Sequence, residues 1–211
     1  MQYFKRSILG VCAAVTLPCC AAYKLEPPPG FVLVSGSTYE TRLKAQDNVG
    51  INVQRSYNNK GGTLAYWAND LVNKLGKRGY VLIGQSAVET KNGREGTRFD
   101  FDYTIPGTDK PKFYTVSLFV TDKYKFVVQV AGDKQFGAAY AARNHEILDE
   151  LVVRGCKVAS KICGSPQPGK LQTPAPEVIP DGPPDIATDT PAPASTPTPV
   201  ATPVAPTAPA P

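Results

Sequence analysis

Histidine, methionine and tryptophan each occur once in this chain of 211 residues, and no apolar run approaches the roughly 20 residues that a bilayer core requires. These shortages narrow the chemistry. His145 is the sole imidazole, and Arg143, Asn144, Glu146 and Asp149 around it read as a solvated helix face. Asp149 stands at helical spacing to orient the ring, but a Ser-His-Asp arrangement also needs a nucleophile, and no nucleophile-elbow sequence is present. Gly61-Gly62 lacks the Gly-Lys-Ser/Thr that a phosphate-binding loop requires, so it reads as a flexible approach to a helix. Asp100 and Asp102 share one strand face and could be a carboxylate pair for glycoside hydrolysis or a cation site. Arg98 on the same face makes salt-linked surface charge the simpler expectation. No nucleic-acid-binding motif is present. The expectation is a chain that is not an enzyme and has no cofactor and no metal site.

What is there falls into three parts. Lys5 and Arg6 followed by the apolar stretch Ile8 to Leu17 have the anatomy of a secretion leader. The leader resembles a bacterial lipoprotein signal, with Leu17 three residues before Cys20. The resemblance implies cleavage before Cys20, acylation of Cys20 and, with Ala rather than Asp at position 21, sorting to the outer membrane. Pro18 and Cys19 stand where such signals usually carry small residues. Cleavage after Ala22, which would release a soluble periplasmic or secreted protein, stays open. Two or more acyl chains on Cys20 would give stable attachment to a membrane, which a single chain does not.

Of the five cysteines, Cys12 and Cys19 leave with the leader and Cys20 becomes the N-terminus, so Cys156 and Cys163 remain. In an oxidising compartment this pair is expected to form a disulfide closing a small loop. Two free thiols are the alternative, and zinc is disfavoured because no second ligand pair or neighbouring histidine accompanies them. From Ser165 the composition changes: fifteen of the 21 prolines lie between Pro166 and Pro211, with no aromatic residue among them. Such a segment cannot bury enough apolar surface to offset its chain entropy, and disorder with polyproline II bias is expected. It could be a solubilising tail, a tether reaching into the cell wall, or a glycosylated stalk.

The expected organisation is a signal peptide over 1–20, a short linker over 21–30, a folded domain over 31–164 and a disordered tail over 165–211. Within the domain, Phe31 to Ser35 reads as a strand, and Arg42 to Gln54 as a hairpin about Asp47-Asn48-Val49-Gly50. The period then changes: Leu64, Trp67, Ala68, Leu71, Val72 and Leu75 form one helical stripe, with Thr63 placed to cap it and Lys74, Lys77 and Arg78 crowding its end. Thr97, Phe99, Phe101, Tyr103 and Ile105 alternate with Arg98, Asp100, Asp102 and Thr104, so one face of that strand is expected to be buried and the other charged. Strands over Phe113 to Val120 and Phe126 to Val130 complete a meander. A second helix, capped by Asp133, is expected to carry Phe136, Tyr140, Ile147, Leu148 and Leu151 on its buried face. The fold class is α+β, a single antiparallel β-sheet flanked by two helices.

That order of elements resembles the PsbP/DcrB-like α/β/α sandwich superfamily. The resemblance rests on the Pro-Pro-Pro-Gly-Phe opening, the Leu64 to Leu75 helix with Tyr66-Trp67, the Asn92-Gly93-Arg94-Glu95-Gly96 turn into Arg98-Phe99-Asp100-Phe101, and the closing helix from Phe136. It covers roughly residues 28 to 155. It implies a small exported or soluble protein that positions other proteins, and it carries over no catalytic residue.

The net charge is +5, and the folded part is mildly basic while the tail is acidic, which favours contact with anionic envelope components. The leading expectation is an envelope protein held in the membrane through an N-terminal lipid anchor, acting as a non-enzymatic interaction or assembly module for an envelope protein partner. The alternative is a binding module for an envelope lipid or glycan, with Trp67, Phe99 and Phe101 facing the ligand; a hydrolase is third.

Overall fold

The computed structural model describes residues 21–175. The leader, Cys20 and the residues from 176 onward lie outside the described residues, and with them the expected lipidation and the expected disorder of the tail. The elements run β1 (Tyr23–Leu25), β2 (Phe31–Gly36), β3 (Glu40–Ala45), β4 (Gly50–Tyr57), α1 (Leu64–Lys77), β5 (Val81–Glu89), β6 (Glu95–Thr104), β7 (Pro111–Val120) and β8 (Tyr124–Asp133). A 3-10 turn (Lys134–Phe136), α2 (Gly137–Ala142), α3 (Asn144–Leu148) and β9 (Leu151–Val153) follow. Seven strands form one antiparallel sheet in the order β2-β3-β4-β8-β7-β6-β5, and β1 pairs with β9 in a separate two-stranded sheet. The fold is α+β, with helices on both faces of the main sheet.

Each face has its own core. On one side α1 lays Leu64, Ala68, Val72 and Leu75 onto Phe99, Phe101, Val116 and Leu118. Thr63 caps the helix, its hydroxyl oxygen accepting from the Tyr66 N–H at 3.3 Å, while Lys74 and Lys77 lie in the last turn, where the negative end of the helix dipole favours cations. On the other side Ile51, Val53, Phe119, Phe126, Val128 and Val130 meet Tyr140, Ile147, Leu148 and the β1–β9 pair. Phe99, Phe119 and Phe126 have no solvent exposure, and burying such a side chain contributes about 1.5–3 kcal/mol. Gly96 makes the second core possible. It sits opposite Phe119 across the β6–β7 ladder, and the Phe119 ring lies where a Cβ would be.

The structure departs from expectation in five places. The second helix is broken: α2 stops at Arg143, whose N–H bonds back to Ala139, and α3 is a separate short turn. Leu151 is not on a helix at all but pairs with Leu25 in the β1–β9 ladder. Asp133 makes no side-chain cap bond and pairs instead with the Lys112 ammonium. The charged face of β6 is not open surface, because α2 lies over it and Arg98 donates from Nη1 to the Ala141 carbonyl at 3.0 Å. Residues 21–30, read as a linker, hold β1, and Ala22 and Tyr23 are both buried.

The composition break at Ser165 does not mark the end of packing. Residues 165–175 run as a strap across α1 and the edge strand β5. Ser165 Oγ accepts from the Leu64 N–H, Thr97 donates to Gln167 Oε1 at 2.6 Å, and Gln85 Nε2 donates to the Pro168 and Gly169 carbonyls. The Leu171 N–H in turn donates to Gln85 Oε1, and the Leu82 N–H to Thr173 Oγ1. Gly76 in α1 admits the strap: a Cβ there would stand 2.6 Å from Pro174 Cδ.

Candidate functional site

Phe99 and Phe101 are 0% and 1% exposed and are packed beneath α1. Trp67 is half-buried beside them. Its indole N–H donates to Asn58 Oδ1 at 2.9 Å, and the Lys125 ammonium sits 3.4 Å from its ring centroid. Burial lowers the Lys125 pKa. Asn58 ties this corner together, because its amide also donates to the Gly62 and Thr121 carbonyls and its oxygen accepts from the Gly62 N–H. The three aromatic residues expected to face a ligand therefore belong to one packed cluster between α1 and the sheet. Gly61-Gly62 is the corner's turn into α1 and is held by Asn58.

Asp100, Asp102 and His145 do not converge. Asp100 Oδ1 accepts from Arg98 Nη2 at 2.7 Å, Arg98 Nε at 2.9 Å and the Thr115 hydroxyl at 2.7 Å. Asp102 pairs with Lys134. These four charges line a cavity of about 390 Å³ beneath α2, and each carboxylate is matched to a cation. A pair of carboxylates neutralised in this way has no free acid and base to offer. His145 is on α3 with its Nδ1 3.0 Å from the Ala142 carbonyl oxygen; among the described residues no carboxylate bonds to it.

Cys156 and Cys163 are joined in a disulfide with Cα atoms 6.0 Å apart. Asp122 reaches into the loop that the disulfide closes, accepting from the Lys157 N–H at 2.8 Å. Burial pushes the Asp122 pKa up, but hydrogen bonds from the Lys157 N–H and Ser160 outweigh it and hold the carboxyl below its usual range. Asp122, Cys156 and Cys163 form a grouping of metal-ligating residue types, and the disulfide consumes both thiols.

Two features were invisible to sequence reasoning. The first is β2. It stands at one end of the sheet, and Val32, Leu33 and Val34 are 66%, 58% and 61% exposed. Consecutive side chains on a strand point to opposite faces, so both faces of β2 are open. Beside it, on the sheet face that α1 leaves clear, Val34, Arg42, Lys44, Tyr114 and Gln129 border a groove of about 390 Å³. The second is Arg55 on β4. It is 8% exposed, and its guanidinium lies 4.5, 4.7 and 5.3 Å from the ring centroids of Tyr39, Tyr124 and Tyr57. Its Nε has no hydrogen-bond partner, and among the described residues no carboxylate pairs with it. The only local signal was an arginine at a core-facing position of a strand. Tyr57 is two residues away on the same strand, whereas Tyr39 and Tyr124 come from other parts of the chain.

Fold and site together define an α/β/α sandwich with paired charges beneath α2, a buried arginine on β4 unpaired among the described residues, one strapped edge and one open edge. No protein-family model matches the chain, and no curated protein sequence matches it. Among solved structures it is similar to LpqN, involved in cell envelope biogenesis of Mycobacterium tuberculosis, at 13% identity and a TM-score of 0.49 over 62% of this chain and 82% of that one. It is similar to the cyanobacterial PsbP of Synechocystis at 13% identity and a TM-score of 0.42 over 69% of this chain and 99% of that one. A Mog1 variant shares 15% identity and a TM-score of 0.40 over 64% of this chain and 92% of that one. Likenesses this distant assign no role to any residue here.

Proposed function

We propose that this chain is an exported cell-envelope protein, anchored through an acylated Cys20 in the outer membrane, that works as a non-enzymatic docking module for an extended segment of an envelope protein. The observation that carries the reading is the contrast between the two sheet edges. The β5 edge is partly crossed by the chain's own residues 165–175, which engage the Leu82 N–H and the Gln85 side chain and leave Val81 and Ile83 exposed, whereas β2 holds three consecutive aliphatic side chains in solvent with no such strap bonded to it among the described residues. An uncovered edge strand is a template for strand addition, and proteins that do not use such an edge ordinarily blunt it with charge, proline or a covering segment. The Cys156–Cys163 disulfide supports residence in an oxidising compartment. The mutual pairing of Arg98, Asp100, Asp102 and Lys134 supports a structural rather than catalytic use of those charges.

The test places a photo-crosslinking side chain at Val32 or Val34 in intact cells, with Thr108 in the β6–β7 loop as control. The reading expects a discrete adduct with one envelope protein from the β2 positions only. Adducts that match the Thr108 control, or only dimers of the chain itself, would refute it. A second reading is favoured by the groove beside β2, where Arg42 and Lys44 stand next to Val34 and Tyr114: a binding module for an envelope lipid or glycan. A lipid or glycan recovered on the crosslinker at Val34 would select it.

A further inference from the structure

We infer that the end of the domain where the chain enters β1 is a seat for the headgroup layer of an anionic phospholipid bilayer, and that this seat fixes the orientation in which the β2 edge is presented. The inference deepens the anchored reading and rests on it for its orientation claim. Its first support is the lack of slack. Only Ala21 separates Cys20 from Ala22, which is 7% exposed and whose carbonyl accepts from the Arg154 N–H at 2.8 Å. Ala21 is itself held, its carbonyl accepting from Arg154 Nη1 at 3.2 Å. At no more than about 3.6 Å per residue, an acylated Cys20 would keep this end of the domain within the thickness of a headgroup layer.

The second support is charge. Three turns gather at this end. Asn58 donates its N–H to the Lys123 carbonyl at 2.9 Å, and Lys157 donates its N–H to Asp122. Together they expose Lys60, Lys123, Arg154, Lys157 and Lys161, against one acid, Asp122, which is engaged by the Lys157 N–H and Ser160. The adjoining β5–β6 turn, bound through Asn92 to Val153, adds no net positive charge: Lys91 is paired with Glu150, and Glu89 and Glu95 at its base outweigh Arg94. A basic surface complements anionic lipid, each cation contributing about fivefold in partition.

The third support is the apolar and aromatic complement. Val158, at the tip of the disulfide loop between Lys157 and Lys161, is fully exposed, and Tyr39 and Tyr57 are 56% and 53% exposed. Tyrosine is favoured at the membrane–water boundary because its ring is apolar and its hydroxyl is wet. Between those rings lies Arg55, a buried cation with an unpartnered Nε and, among the described residues, no carboxylate paired with it. Its charge adds to the attraction of this end for anionic lipid.

The test uses the chain from Ala21 to Pro211 made without the leader and Cys20, so that acylation plays no part. Sedimentation is measured with vesicles of phosphatidylcholine and phosphatidylglycerol at a ratio of about 2:1, and with phosphatidylcholine alone, in buffer of about 0.1 M salt. Binding is expected only to the anionic vesicles, and to fall steeply toward about 1 M salt, where screening shortens to about 3 Å. Replacing Lys60, Lys123 and Lys157 together by Gln should weaken it on the order of a hundredfold; these side chains make no bond that the fold depends on. Replacing Arg78, Lys110 and Lys170 by Gln, away from the seat and from the groove beside β2, should leave it within a factor of about two, the residue of long-range charge. No binding to either vesicle, equal binding to both, or equal loss in the two triple variants would overturn the inference. So would indifference to vesicles combined with crosslinking of Lys123 to an envelope protein in cells, which would give the surface to a protein. The mass of the mature N-terminus reports acylation separately: a free Tyr23 would refute the anchor and leave the vesicle result standing.

Discussion

Replacing Gly96 by alanine adds one methyl group at the point where β6 lets an aromatic ring through. The new Cβ would lie 2.4 and 2.5 Å from Phe119 Cδ1 and Cε1 and 2.6 Å from the Leu118 carbonyl oxygen. Phe119 has no solvent exposure, and the carbonyl belongs to the β7 backbone, so neither neighbour is a free side-chain end that can swing aside. Overpacking of this kind costs about 1–3 kcal/mol. Against it stands the conformational gain of losing a strand glycine, about 0.5–1 kcal/mol. The net expectation is a loss of about 1–2 kcal/mol, which for a domain of this size lowers Tm by roughly 2–8 °C. Gly36 on β2 is the control, because a Cβ there would meet only Leu33 Cδ1 at 3.8 Å, an ordinary contact. Gly36→Ala should leave Tm unchanged or slightly raised. Combining Gly96→Ala with Phe119→Leu should cost less than the two changes summed, since the clash is shared. The assay is thermal unfolding of the wild type, the three single variants and the double variant by circular dichroism. A Gly96→Ala Tm at or above wild type would refute the argument that the ring's passage requires glycine.

Two further outcomes follow from the same structure. Reducing the Cys156–Cys163 disulfide, or replacing both residues by Ser, frees a loop whose ends are seven residues apart; the chain-entropy contribution is roughly 2–3 kcal/mol, and a Tm unmoved by reductant would contradict it. Tyr140 donates to both Asp47 carboxylate oxygens, at 2.8 and 3.0 Å, and burial first, then that hydrogen bond, pushes its pKa up to about 12. A raised phenol pKa means that the fold favours the neutral form, so its contribution is whole below about pH 10 and is lost as pH rises from there toward 12. Phenolate absorbance should show one tyrosine ionising near the upper end of that window, and Tyr140→Phe should remove it. Loss of an ordinary, low-pH tyrosine instead would refute the assignment.

What the sequence made legible was periodic and local. The α1 stripe, its Thr63 cap and the alternation through Phe99 and Phe101 each declare themselves within a dozen residues, because a helix or strand buries one face at a fixed repeat. What it hid was non-local. Leu151 continues the helical spacing of Ile147 and Leu148, and only Leu25, far off in the chain, makes it a strand residue. Alternation placed Arg98, Asp100 and Asp102 on a face opposite the aromatics, but could not say that α2 would cover that face. Residues 165–175 read as part of the disordered tail because their packing uses no apolar repeat: it runs through hydrogen bonds of Ser165, Gln167, Thr173 and backbone carbonyls to Gln85, Thr97 and Leu64. The candidate site was hidden for the same reason. Arg55 looked like one more strand residue until Tyr39, Tyr57 and Tyr124 closed around it.

The strap has a mechanical corollary. Everything beyond Ala175 is joined to the domain through it, so tension arriving from that side loads its bonds before it loads the sheet. Thr173, Leu171 and then Pro168 would let go in sequence, each at low force, as in the opening of a zipper. Release of the strap would uncover the side of the α1 core against which Leu171 packs before any strand of the sheet separates.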